Sequence, residues 1–233
     1  MPSDVAGTVP SAAREKAGPG RPKGSGQAGA GTEPAARPSP RERLLEAADE
    51  LFYAEGVHSV GIDRIIERAD VARASLYSTF GSKDELVRAY LEHRMDISTA
   101  RLRAAVAAHD DPRERLLSVF DVQAALFARS GYHGCAFNRA AAEARPGTAA
   151  AEVPQAYRHW LRDLFQELAA AAGAPDPVLL GSQLHLLYDG GMQAANLDQN
   201  TTIAAASRAA AGALLDAALA SAAGSPAHVH AVS

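Results

Sequence analysis

From Val71 to Lys83 the chain carries no Asp or Glu, yet it holds Arg73 and Lys83. Hydroxyls share that stretch, among them Ser75, Tyr77, Ser78 and Thr79. Phosphates repel carboxylates and attract guanidinium and ammonium groups, so an acid-free segment of this kind suits a nucleic-acid backbone. The pattern is informative because the whole chain is acidic, with 233 residues and a net charge of −4. A basic coat is thereby excluded, and any nucleic-acid contact must be local. Enzyme chemistry finds no comparable foothold. There is no Gly-x-Ser-x-Gly elbow, no phosphate-cradling P-loop and no His-Glu-x-x-His helix. His133 and Cys135 are close in sequence, but no second pair completes a metal site, and His228 and His230 are weak metal candidates near the C-terminus. The single Cys excludes an internal disulfide and a Cys-only zinc site. The expectation is a non-enzyme with no metal and no cofactor.

Composition sets the frame for the elements that position these residues. Apolar residues are 47% and charged residues 21%, as in soluble globular proteins, but aromatics are only 6%, so the core must be mostly Leu and Ala. The length fits one domain or two small ones. No apolar run is expected to span a bilayer and no signal-peptide stretch is seen, so a cytoplasmic protein with no membrane contact is expected. Lysine is confined to Lys16, Lys23 and Lys83; arginine supplies the rest of the basic charge amid abundant Ala, Gly and Pro, which suggests a GC-rich, bacterial origin.

Residues 1–38 hold almost no large apolar side chain and cannot offset the entropy of ordering, so they read as a disordered arm. Ser39-Pro40-Arg41-Glu42 is a capping box, followed by Leu44, Leu45, Ala48, Leu51 and Phe52 at helical spacing up to a stop at Gly56. Ile62, Ile65, Ile66 and Ala69 form a second, short helix, and a third covers about Ala72 to Phe80 before Gly81. Ser82-Lys83-Asp84-Glu85 reads as another capping box, opening a long helix to about Ala108, and Asp111-Pro112-Arg113-Glu114 as a third. A short helix lies near Phe137–Ala144. The next carries Tyr157, Trp160, Leu161, Leu164, Phe165 and Leu168, with Pro154 starting it or kinking its first turn. Asp176-Pro177 caps an eighth helix to about Leu197, and Asn200 a ninth to about Ala222, before a disordered tail at 224–233. The fold is read as all-α: a three-helix helix-turn-helix DNA-binding domain at 39–82, then a six-helix domain at 83–223.

Residues Leu44 to Leu86 resemble the tetracycline-repressor-like (TetR) family. The resemblance runs through Leu44-Leu45-Glu46-Ala47-Ala48, Leu51-Phe52, Gly56-Val57, Ile62-Asp63, Ile65, Ala69, Val71, Leu76-Tyr77, Phe80 and Ser82-Lys83-Asp84-Glu85-Leu86. Gly134 to Glu143, Trp160 to Leu164 and Leu186 to Met192 resemble one branch of it. Where the family usually has Thr or Ser, this chain has Gly61. Asp70 replaces a common turn Gly, Ala72 a common capping Ser, and Thr79 a common His or Tyr. The resemblance implies a homodimeric transcriptional regulator, commonly a repressor, released from DNA by a small molecule, with 83–223 as its ligand-binding and dimerisation domain.

In that frame Arg73 lies at the N-terminal end of the recognition helix and can grip a guanine edge in bidentate fashion. Ser75 and Ser78 can bond bases or phosphates. Tyr77 and Thr79 are phosphate candidates, and Lys83 joins the free N–H groups of a helix start. The resemblance singles out Tyr77 and Lys83 as backbone contacts. In the arm, Gly18 to Gly24 with Arg21 looks like the core of an AT-hook, or else a generic basic linker.

For the C-terminal half the expected effector pocket draws on Phe120, Gln123, Phe127, Cys135, Phe137, Asn138, Trp160, Tyr188, Met192 and Asn196. Each could instead be plain core. Cys135 reads as a small buried residue, with a thiol sensor as the alternative. The last two long helices are Ala- and Leu-rich on more than one face, and Gly190-Gly191 and Gly212 allow close approach. They are expected to pair with a second copy as a four-helix interface, placing two recognition helices about one DNA turn (~34 Å) apart on a palindromic operator of double-stranded DNA. The effector's identity is not legible. The alternative function is an architectural or protein-partnered DNA-binding protein without a small-molecule effector.

Overall fold

The computed structural model describes residues 38–223; the expectations placed on the arm, including Arg21, and on the tail at 224–233 lie outside the described residues. The described chain is all-α. Its helices are α1 (Pro40–Glu55), α2 (Ile62–Ala69), α3 (Arg73–Phe80), α4 (Lys83–Ala107), α5 (Pro112–Phe127), α6 (Ala136–Glu143), α7 (Ala149–Ala171), α8 (Pro177–Asp198) and α9 (Thr202–Ala223).

Local chemistry explains most boundaries. Ser39 and Glu42 exchange hydrogen bonds in a full capping box, with Ser39 N–H donating to the Glu42 carboxylate over 2.7 Å. The other two boxes are only half made. Ser82 Oγ accepts from Glu85 N–H, and the Asp111 carboxylate accepts from Glu114 N–H. The glutamates do not bond back, because arginines draw them outward: Glu85 lies 3.6 Å from Arg88, and Glu114 accepts from Arg208 at 2.7 Å. Gly61 and Ala72 occupy N-cap positions without a side-chain bond, and Asp70 takes the left-handed conformation (φ 51°) that ends α2.

Helix α7 corrects the sequence reading. It begins at Ala149, and Pro154 is buried inside its second turn, neither starting the helix nor sitting in its first turn. Its start is set from outside: the Asp84 carboxylate, in the first turn of α4, accepts from Ala149 N–H at 3.3 Å. No local sequence signal carries that contact.

The core is continuous. Leu44, Phe52, Ile65, Leu76, Leu86 and Tyr90 close α1–α3 onto the start of α4. Leu102, Leu116, Phe120, Phe165, Leu184 and Leu215 fill the larger half. Phe120, Phe165 and Tyr188 pack edge to face or tilted, with centroids 5.8–6.1 Å apart, which aromatic quadrupoles favour. Gly181 and Gly191 serve this packing directly. A Cβ at Gly181 would stand 2.9 Å from the Gln166 backbone nitrogen of α7, and one at Gly191 2.6 Å from Ser207 Oγ of α9.

A second correction concerns α9. Thr202–Ser221 is long and apolar enough to cross a membrane by length and composition alone, although no such run was expected. The apolarity is alanine, and the helix carries charges tied to α5. Arg208 binds Glu114 and Asp121, and Asp216 accepts from Arg113. That pairing is the arrangement of a helix packed within a folded protein.

Candidate DNA interface and ligand cavity

Helix α3 is held by one face and offers the other. Leu76 is fully buried, while Arg73, Tyr77, Ser78 and Thr79 are exposed and Ser75 is half-buried. The αL turn at Asp70 sets the angle between α2 and α3. It is braced by Arg43, whose guanidinium donates to the Ala69 and Asp70 carbonyls at 3.0 and 2.6 Å. Tyr77 keeps 44% of its surface exposed, so its ring and hydroxyl are available to a partner. Ser78 Oγ meanwhile donates to the Ser75 carbonyl over 3.2 Å.

Two of the expected contacts are engaged within the chain. Arg73 forms an ion pair with Asp63 in the first turn of α2. Lys83 leans back over the Phe52 ring, 5.9 Å from its centroid, where burial pushes its ammonium pKa down and Glu143 partly offsets this. Sequence reasoning missed a further cation beside α3: Arg41, stacked over the Phe80 ring at 5.6 Å. Its only sequence signal was its place in the first turn of α1.

The second site is a cavity of about 340 Å³ lined by residues of α1, α4, α5, α7 and α8 and of the segment 129–138. Of the expected pocket residues, Cys135, Phe137, Asn138, Tyr188 and Met192 line it. Phe127 and Asn196 instead line a neighbouring cavity of about 420 Å³, separated from the first by the shared turn 129–132. Phe120 is sealed in the aromatic core. Gln123 is fully buried and donates to the Tyr188 carbonyl at 2.7 Å, so it holds α5 to α8. Trp160 stacks on Tyr157, which does line the cavity, and Arg103 covers it from outside.

The cavity's polar groups were mostly not foreseen. Arg94 donates to both oxygens of Asp49 at 2.7 and 2.9 Å and lies 3.8 Å over the Tyr53 ring. Arg158 pairs with Asp189, and His185 Nε2 stands 3.5 Å from the same carboxylate. Arg101 and Arg129 complete the cationic lining. Helical spacing from Arg94 to Arg101 is a signal that could have placed those two on one face of α4. Burial raises the Tyr157 and Tyr188 pKa values well above the usual range, so both remain hydroxyl donors. Cys135 is half-buried by surface area because it faces the cavity, yet the surrounding protein pushes its thiol pKa up. That favours the inert thiol over the sensor.

The cavity touches the helix-turn-helix half directly, since Asp49 and Tyr53 belong to α1. The segment leading into α6 straps the end of that helix. Tyr53 Oη donates to the Gly134 carbonyl at 3.1 Å and accepts from His133 N–H at 3.2 Å. Arg139 donates to the Tyr53 carbonyl, and His58 N–H donates to Glu143 at 3.0 Å. Carbonyls at the end of α1 that lack intrahelical partners are thus capped from α6.

Comparison with known proteins bears on both sites. A family model described as bacterial regulatory proteins of the tetR family matches residues 44–90. A TetR-family transcriptional regulator of Streptomyces coelicolor is 35% identical, with a TM-score of 0.74 over 77% of this chain and 95% of that one. A TetR-type regulator of Streptomyces avermitilis is also 35% identical, with a TM-score of 0.69 over 78% and 98% of the two chains. Among curated proteins, the transcriptional activator FasR of Mycolicibacterium smegmatis is 37% identical over 114 residues, 49% of this chain and 48% of FasR. The transcriptional repressor KstR2 of Mycobacterium tuberculosis is 35% identical over 82 residues, 35% of this chain and 41% of KstR2. The matched stretch therefore spans about half or less of these curated relatives.

Proposed function

Because the chain belongs to the TetR family of transcriptional regulators, and is no enzyme, we propose that it is a repressor that binds a palindromic operator as a homodimer in the cytoplasm and releases it when a small molecule fills the cavity. The observation that carries this reading is the cavity's contact with α1. Asp49 and Tyr53 line it while Leu44, Ala48 and Phe52 of the same helix pack the helix-turn-helix core. A ligand that favours one placement of α1 over another changes the placement of α3, and operator affinity must change by linkage.

Contacts with DNA are assigned to Arg73 for base edges, to Ser75, Ser78 and Thr79 for bases or phosphates, and to Tyr77 and Lys83 for the backbone. Lys83 has to swing off Phe52 to reach a phosphate, which costs little for a flexible stem over one ring. The dimer is assigned to α8 and α9. Val178, Leu179, Leu186 and Leu197 of α8 are large apolar side chains left exposed, Leu186 by 71%. Gly190 lies in the same helix with nothing within 4 Å of its would-be Cβ. Two copies paired on these helices give an isologous interface. Relatives named as an activator and as a repressor share the fold family, and operator position relative to the promoter sets the sign.

The test is selection of bound sites from random duplex DNA by the purified chain at two salt concentrations. Enrichment of an inverted repeat is the expected result, followed by repression of a promoter carrying it. Uniform, salt-sensitive binding without enrichment would favour an architectural role and overturn the reading.

A further inference from the structure

The cavity's charges are unbalanced in one direction. Four arginines line it, Arg94, Arg101, Arg129 and Arg158, against two aspartates, in a chain whose net charge is −4. Both aspartates are already committed: Asp49 is gripped by both arms of Arg94, and Asp189 lies between Arg158 and His185. Arg101 and Arg129 have no carboxylate partner among the described residues. Exposed arginines are often unpaired at no cost, but Arg101 is half-buried against the cavity wall. Burial, and after it the neighbouring Arg129, which is itself exposed, lower the Arg101 pKa, as expected of a guanidinium without a counter-charge.

We propose that the effector is a small amphipathic organic acid, its anionic group held by Arg101 and Arg129 and its apolar body lodged against Leu102, Val122, Leu126 and Phe137. This deepens the reading of the cavity as the effector site and rests on it. A guanidinium offers two parallel N–H groups to a carboxylate or sulfonate, and such charge-assisted bonds are about twice as strong as neutral ones. Tyr157 and Tyr188, which line the same cavity, stay protonated and are hydrogen-bonded to each other, leave one hydroxyl donor near Arg101. A cationic ligand has no free carboxylate to meet here; it would have to break the Asp49–Arg94 or Asp189–Arg158 pair and leave an arginine stranded. A neutral ligand would leave Arg101 uncompensated.

The experiment compares two probes with one aromatic body, anilinonaphthalene sulfonate and the uncharged phenylnaphthylamine, by fluorescence titration of the full chain. Wild type should bind the sulfonate at least about tenfold more tightly, the worth of one charge-assisted hydrogen bond. Arg101→Gln should erase that preference while leaving the neutral amine's affinity within about twofold. Arg129→Gln should reduce the preference, and Arg101→Lys should retain part of it. Arg145→Gln, at an exposed arginine outside the cavity lining, should match wild type. Thermal melts of every variant establish that each is folded, and Arg129→Gln carries the test should Arg101→Gln not fold. Equal affinity for the two probes, or unchanged sulfonate binding in both Gln variants, would overturn the inference but leave the cavity as an effector site. Binding of neither probe would overturn both, while operator selection would stand on its own.

Discussion

Asp63→Asn should tighten operator binding, and most of that gain should depend on Arg73. In the free protein the Arg73 guanidinium is occupied by Asp63, with the two side chains 57% and 79% exposed. An ion pair this open is worth about 0–1 kcal/mol, whereas a bidentate guanine contact is worth about 1–3 kcal/mol. Arg73 therefore leaves Asp63 for a base, and the pair subtracts at most about 1 kcal/mol per half-site from binding. Removing the carboxylate returns up to about fivefold in affinity per subunit, or about twenty-five-fold for a symmetric dimer. It also removes a negative charge near the phosphates, so the gain should shrink as salt rises. Arg73→Ala should instead cost about 1–3 kcal/mol at one base-pair position and relax preference there. In the double variant the Asp63→Asn gain should largely vanish, because the two residues act through one contact. The assay is fluorescence anisotropy on the selected operator and its single-base variants at two salt concentrations, with melts to confirm that α2 tolerates the loss of an acidic first-turn residue. Two outcomes would refute the reasoning. One is unchanged or weaker binding by Asp63→Asn. The other is an Arg73→Ala loss that is even across sequences and lowers the salt slope by about one, which would make Arg73 a phosphate contact.

Three other predictions follow from the helical body. Leu186→Glu should raise the dimer dissociation constant over a hundredfold, since each buried Leu contributes about 1.5–3 kcal/mol and a two-fold interface loses two; sedimentation velocity over a dilution series reads this, and an unchanged dimer removes α8 from the interface. Gly181→Ala should lower stability by about 1–3 kcal/mol in chemical denaturation, because its Cβ meets the α7 backbone at Gln166, whereas Gly190→Ala should leave the single chain's stability intact or improve it. Burial holds the His185 imidazole below its ordinary pKa; Asp189 opposes this, while Arg158 and Arg162 add to it. The unfolded chain then takes up a proton more readily than the native one. Stability should fall as pH drops below about 6.5, and His185→Gln should flatten that fall in melts between about pH 7.5 and 5.

What the sequence determined by itself is whatever nearby residues settle among themselves. Ser39 with Glu42, Asp70 at a left-handed turn, Gly56 and Gly81 as stops, and the 3.6-residue spacing of Leu44, Ala48 and Phe52 are local chemistry, and they placed the helices of the DNA-binding half. The candidate DNA surface was legible for the same reason, since Arg73 to Lys83 is one continuous segment. Its ion pair was not, because Asp63 reaches Arg73 only once the α2–α3 angle is fixed. Distant contacts decided the rest. The start of α7 depends on Asp84 of α4, the end of α1 on Arg139 and Glu143, and the cavity on residues from Asp49 to Met192. Phe120 and Phe137 look alike in sequence, yet one seals the core and the other lines the cavity. Likewise, Arg101 and Arg103 stand two positions apart in one helix, and only the rotation of α4 against α5 and α7 turns the first toward the cavity and leaves the second exposed over Trp160. A helix's period says which residues share a face; what that face meets is set by packing among helices far apart in the chain.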